Sequence, residues 1–81
     1  MSAVVLHRID PAKNMARYYR LDMQPDLFGG FNVTKEWGRI GRGGQVRQVF
    51  CSTESDALGA VETQHKAKVR RGYVRLTQDG S

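Results

Sequence analysis

Cysteine is almost absent from this chain. The single Cys51 rules out an internal disulfide framework and fits a reducing compartment. With only His7 and His65 beside it, the chain lacks material for a structural zinc centre, which usually takes four Cys or His ligands. Long apolar runs are missing too. The run Ala3 to Leu6 is far too short for the apolar core of a signal peptide or for a membrane span. Asp10, Asp22, Asp26 and Glu36 form no paired-carboxylate spacing, and Ser2, Ser52 and Ser55 sit in no G-x-S-x-G turn. Cys51 has no His and Asn at a spacing that would make it a nucleophile. The glycines match neither G-x-x-x-x-G-K-[ST] nor G-x-G-x-x-G. The expectation is a protein that is not an enzyme, with no metal, no cofactor and no small-molecule substrate.

Eighty-one residues make one small domain. Such a chain buries about 60% of the surface its unfolded form exposes, so its core is small. Apolar residues at 40% and charged residues at 26% are ordinary for a soluble globular domain, and argue against global disorder. Acid is the scarce charge. Eight acidic against thirteen basic residues leave a formal net charge of +5, and no acid occurs from Thr63 through Gln78. Nine of the thirteen cations are arginines, whose planar fork matches phosphate better than the point charge of lysine. A pI near 9.9 is the electrostatic footprint of a nucleic-acid binder, and is also compatible with an anionic membrane or with solubility alone. The membrane alternative is poor, because the basic stretch 66–75 lacks bulky apolar anchors on its opposite face.

Period-two patterning dominates the first fifty residues. AVVLHRI over residues 3–9 reads as a first strand, broken by Asp10-Pro11. RYYRLDMQ over residues 17–24 alternates, with Tyr19, Leu21 and Met23 on one face and Tyr18, Arg20 and Asp22 on the other. Residues 31–40 form a third strand with Phe31, Val33, Lys35 and Trp37 on one face. The glycine turn 41–44 leads into a fourth strand over 45–51, which predicts a meander. The period then changes. Thr53 with Asp56 resembles a capping box, and Ala57, Leu58, Val61 and His65 recur at helical spacing. Lys68, Arg70 and Arg71 suit the negative end of the helix dipole, and Gly72 is the expected stop, so a helix is predicted over 54–71. Residues 73–76 can add a short last strand. The expected fold class is α+β: an antiparallel β-sheet of four to five strands in a meander, with one α-helix packed across one face. One domain is expected over residues 4–76, with a flexible tail at 77–81.

Trp37-Gly38-Arg39-Ile40-Gly41-Arg42-Gly43-Gly44 is the most informative stretch. A broad ring, a forked cation and free backbone amides together can hold sugar, base and phosphate. Two readings of Trp37 stand on physical grounds. It is either the core anchor of a small domain or a stacking platform on the open face of the sheet. The glycines serve hairpin geometry. Lys66, Lys68, Arg70, Arg71 and Arg75 form a second basic cluster, which is either a solvated helix face or an extension of a phosphate-binding surface. His65 falls at the core edge of the helical stripe, as a packed histidine rather than a ligand.

The tripeptide Trp37-Gly38-Arg39 resembles the motif that names the WGR domain. Asp10-Pro11-Ala12-Lys13-Asn14 is similar to the family's first loop, and Arg17-Tyr18-Tyr19-Arg20-Leu21 to its following strand. Ile40 to Gln45 resembles the stretch after the motif, and Ala57, Val61, Lys68 and Gly72-Tyr73 fall where the family's helix and its end place similar types. The resemblance covers residues 4–74. It implies an antiparallel sheet with one helix across it, and the grip on a DNA end that this domain supplies in eukaryotic poly(ADP-ribose) polymerases that respond to DNA breaks. By that likeness Trp37 is a stacking platform for a terminal sugar and Arg39 a phosphate or bridging contact. Arg17 stands where a strand cation of some relatives meets the terminal phosphate. Those relatives carry Asn just before it, whereas this chain has Ala16, so one polar contact is missing. Tyr73 matches a terminal aromatic. Family members also occur in bacteria.

The expected function is therefore a nucleic-acid-binding module, DNA ahead of RNA, acting at ends or breaks without base specificity and in the cytoplasm. The expected interface comprises Trp37, Gly38, Arg39, Arg17, Arg42, Lys13, Asn14 and Tyr73. A protein partner held on the same surface through Arg39 is the alternative.

Overall fold

Alternation along the chain becomes pairing in space. The computed structural model describes residues 3–76, and the expected tail over 77–81 lies outside the described residues. Strand β1 (Ala3–Asp10) is followed by a single 3₁₀ turn at Pro11–Lys13 and by β2 (Met15–Pro25). Then come β3 (Phe31–Arg39), β4 (Gln45–Cys51), helix α1 (Glu54–Arg70) and the two-residue strand β5 (Val74–Arg75). The sheet order is β4-β3-β2-β1-β5, and each neighbouring pair is antiparallel. Four consecutive strands make the meander, and α1 carries the chain back across one face so that β5 can close on β1.

β2 starts two residues earlier than the alternation implies. Pro11 opens the 3₁₀ turn, and Asn14 ends it in the left-handed region at φ 51° and ψ 42°, which a short polar side chain tolerates. The reversal is therefore complete by Met15, which pairs with Asp10. The β2–β3 connection closes on Asp26. Its backbone N–H donates to the Gly30 carbonyl oxygen at 2.9 Å, and its Oδ1 accepts from Asn32 Nδ2 at 2.9 Å.

Capping sets the helix ends. Thr53 Oγ1 accepts the Asp56 backbone N–H at 3.1 Å, satisfying one of the orphan donors of the first turn. At the other end Arg71 caps the helix and Gly72 adopts φ +96°. The Gly72 N–H reaches the Val69 carbonyl oxygen at 3.0 Å and the Tyr73 N–H reaches that of Lys68 at 3.1 Å, which together form a Schellman motif. The helix thus stops one residue before the predicted Arg71.

The core lies between α1 and one face of the sheet. Leu6, Tyr19 and Leu21 form one buried cluster, and Met23, Val33 and Ala57 a second. Val61 packs against both. Ala57 is fully buried, and its small side chain lets the helix approach Val33 and Met23 closely. The Tyr19 hydroxyl donates to Gln64 Oε1 at 3.3 Å, tying sheet to helix. The other face is mixed, with the Tyr18 hydroxyl donating to Glu36 at 2.8 Å, Arg20 beside Asp22 at 3.7 Å, and Val46 and Phe50 exposed. Among the described residues no helix is long and apolar enough to cross a membrane.

Two glycines of the helical region carry opposite expectations. Gly72→Ala forces a Cβ into the left-handed region and lowers stability by about 1–2 kcal/mol. Gly59, inside α1 with open space around its Cα, gains about 0.5–1 kcal/mol when changed to Ala. Urea unfolding of both variants checks the pair, and the same sign for both would contradict the cap geometry.

Candidate nucleic-acid interface

Strand register builds this region from cross-strand rows. Residues paired across an antiparallel sheet point to the same face. Arg8 pairs with Arg17 and Arg17 with Arg39, which makes a row of three arginines across β1, β2 and β3. The next row on that face runs Leu6, Tyr19, Trp37, Gln45. The one after it runs Val4, Leu21, Lys35, Arg47. The apolar members of these rows pack toward the helix, while the cations occupy the flanks.

Trp37 is not on the open face. Alternation along β3 places it on the same side as the buried Val33, which packs against Ala57 of the helix. The indole is half-buried against the Leu6, Tyr19 and Leu21 cluster. Its ring lies 6.1 Å from that of Tyr19, with 27° between the planes. Tyr73 meets Tyr19 edge-on at 6.4 Å, and Lys68 Nζ sits 4.5 Å above the centre of the Tyr19 ring. The expectation of an open-face platform is thus corrected. Trp37 flanks the core at the C-terminal end of α1 and keeps part of its ring accessible.

Five of the expected residues come together. Arg17, Trp37, Gly38, Arg39 and Tyr73 line one hollow of about 290 Å³. Arg39 is braced by a sixth, Asn14. Its Nη1 donates to the Asn14 carbonyl oxygen at 3.2 Å and its Nη2 to Asn14 Oδ1 at 3.4 Å. Lys13 and Arg42 are exposed and line no part of this hollow. The Arg42 N–H donates to the Arg39 carbonyl oxygen at 3.1 Å, closing the turn.

Gly38 and Gly44 permit the close crossing that carries the motif. A Cβ on Gly38 would stand 2.8 Å from the Gly44 Cα, and one on Gly44 would collide with the Trp37 carbonyl oxygen. Arg8 is not legible from the sequence. It joins the arginine row only through the β1–β2 register, and it lies against Gly72, where a new Cβ would approach its Nε to 3.4 Å.

The electrostatics are one-sided. Among the described residues the ion pairs are Arg20 with Asp22 and Lys66 with Glu62, and neither involves a cation of these rows. Burial pushes the Lys68 ammonium below the usual lysine range, and the neighbouring Arg71 and Lys35 push it the same way. Burial also raises the Tyr19 phenol, with Tyr73 adding to it. Among the described residues no group of three His, Cys, Asp or Glu is placed to hold a metal ion. A partly accessible indole between guanidinium groups can hold a sugar or base on its face and phosphate oxygens at its edges.

Lys68 provides a direct check on this environment. Its folded pKa lies below the ordinary 10.5, so between the two values the folded state binds fewer protons than the unfolded. Stability from this group therefore rises as pH climbs through that alkaline window, and carries a constant penalty below it. An NMR titration of the Lys68 ε-methylene is expected to give a midpoint below free lysine, moved partly back up by Arg71→Gln. A midpoint at the free value would show the ammonium to be fully solvated.

Comparison with known proteins agrees with this geometry. The model of the WGR domain family matches residues 2–80. The chain is also similar to the uncharacterized protein y4dW of Sinorhizobium fredii (strain NBRC 101917 / NGR234), at 40% identity over 68 residues. That match covers 84% of this chain and 33% of the relative, so the chain spans about a third of the relative's length. A paired sheet crossed by one helix, the Trp37-Gly38-Arg39 motif at the site, and a family match over nearly the whole chain converge: the chain belongs to the WGR domain family.

Proposed function

We propose that this domain binds DNA ends or breaks, holding a sugar on Trp37 and phosphate oxygens on Arg17 and Arg39, without reading base sequence and without a reaction of its own. The observation that carries the reading is the convergence of Arg17, Trp37, Gly38, Arg39 and Tyr73 on one hollow. Family membership supports nucleic-acid binding as the general activity.

The physical terms fit a sequence-tolerant grip. Every nucleotide offers a sugar and a π-face, so stacking discriminates little between bases. Arginine forks meet phosphate oxygens whatever the base. The Asn14 brace holds Arg39 in place before a ligand arrives, which lowers the ordering cost of binding. Arg17 opposes Arg39 directly across the β2–β3 ladder, a like-charge arrangement that costs stability until an anion lies between the two.

Fluorescence anisotropy with blunt, nicked and hairpin-capped duplexes tests the proposal. Trp37→Ala is expected to weaken binding by about 5- to 150-fold, the equivalent of about 1–3 kcal/mol for lost stacking. Arg39→Ala is expected to lower the slope of log affinity against log salt by about one. Capped duplex should bind more weakly than blunt or nicked duplex. Wild-type binding that ignores salt, or a Trp37→Ala and Arg39→Ala double variant that binds as wild type does, overturns the assignment. Recovery of one stoichiometric protein partner with no nucleic acid would favour a protein-interaction role for the same surface.

A further inference from the structure

A second cationic hollow adjoins Trp37. It measures about 160 Å³ and is lined by Tyr19, Lys35, Trp37, Arg47 and Lys68. Its three cations come from β3, β4 and α1, so folding alone assembles it. We propose that Lys35, Arg47 and Lys68 form a second phosphate subsite, on the far side of Trp37 from Arg39. The inference rests on the polynucleotide reading above and extends its footprint.

Register supplies the first argument. Lys35 and Arg47 stand directly opposite each other on the β3–β4 ladder. Like charges so placed are destabilising. Among the described residues neither makes an ion pair. The adjacent Glu36 does not relieve them, because it lies on the opposite face and accepts a hydrogen bond from Tyr18. Lys68 adds a third positive charge. Its ammonium is held over Tyr19 at 4.5 Å and lies 5.7 Å from the centre of the Tyr73 ring, so it is positioned before any ligand arrives. Three cations gathered without a counter-ion form a site whose repulsion a bound anion would relieve.

Size and placement name the anion. At about 30 Å³ of liquid volume per water, the hollow takes roughly five waters, which is room for a phosphate group. It is smaller than the roughly 300 Å³ and upward of drug-sized ligand pockets, which suits a small anion. Lys35, Trp37 and Arg39 are successive same-face positions of β3, about 7 Å apart at about 3.4 Å of rise per residue. A sugar seated on Trp37 therefore has a cationic hollow on either side. That arrangement matches a nucleotide whose sugar carries a phosphate on both its 3′ and 5′ oxygens, as the terminal nucleotide of a 5′-phosphorylated end or nick does.

The test uses a Lys35→Gln and Arg47→Gln double variant of the whole chain. Removing an unrelieved like-charge pair should leave thermal stability equal to wild type or higher, whereas a purely structural pair would lower it. For duplex DNA the slope of log affinity against log salt should fall by about 0.9, the value for one phosphate that is no longer neutralised. Arg20→Gln, on the opposite face, should leave that slope unchanged. In a parallel NMR titration, inorganic pyrophosphate should give saturable shifts at Lys35, Arg47 and Lys68 of the wild type that vanish in the double variant. If the double variant keeps the wild-type slope while Trp37→Ala weakens binding, the second subsite falls and the proposed function stands. If no oligonucleotide binds but the pyrophosphate shifts saturate and vanish in the variant, the hollow is a site for free phosphate and the polynucleotide reading falls. Absence of both responses overturns both.

Discussion

Pairing of β2 with β3 in the register that opposes Tyr19 to Trp37 is the constraint on which the rest of the molecule depends. That pairing sends Tyr19, Leu21, Met23 and Val33 to the helix and leaves Arg17, Arg39 and Lys35 flanking the aromatic pair on the same face. A slip by one residue would exchange the two faces of one strand, moving core side chains into water and the site cations away from the indole. The core therefore specifies the site. The same apolar burial that selects the register also sets which cations of β2 and β4 stand beside Lys35, Trp37 and Arg39.

The cost of this arrangement is electrostatic. Arg8, Arg17 and Arg39 stand in one row, Lys35 and Arg47 oppose each other in another, and Lys68 leans over Tyr19 between them. The acids of β2 and β3 lie elsewhere. Asp22 pairs with Arg20 and Glu36 accepts from Tyr18, both on the face opposite the helix. In a domain whose core is two small clusters, such uncompensated repulsion weighs against a marginal stability. Sites that must bind polyanions have this character, because charge satisfied within the protein is not available to a ligand.

Glycine placement makes the site geometrically possible. The β3–β4 turn passes so close to the motif that Gly38 faces the backbone of Gly44, and Gly44 faces the Trp37 carbonyl oxygen. At the opposite edge, Gly72 reverses the chain after α1 and brings Tyr73 to the hollow. The glycines act through chain geometry, in line with the hairpin role read from the sequence.

Much of this architecture is legible in the chain's own spacing. Alternation in residues 17–24 and 31–40 locates the two central strands, and Thr53 and Gly72 mark the helix ends to within one residue. The motif locates Trp37, Gly38 and Arg39, and likeness to the family adds Arg17, Asn14 and Tyr73. Alternation groups Trp37 with Phe31 and Val33, yet which face the helix covers cannot be read from one strand. Arg8 and Arg47 receive no place at the site from sequence, because nothing local distinguishes them from other surface cations, and Lys68 enters there only as one member of the basic cluster 66–75. Spacing and backbone preference within a few residues are enough to dictate the elements, their caps and the motif. Which cations meet around the indole is a property of the fold alone, because strand register and helix placement are set by burial summed over the whole chain.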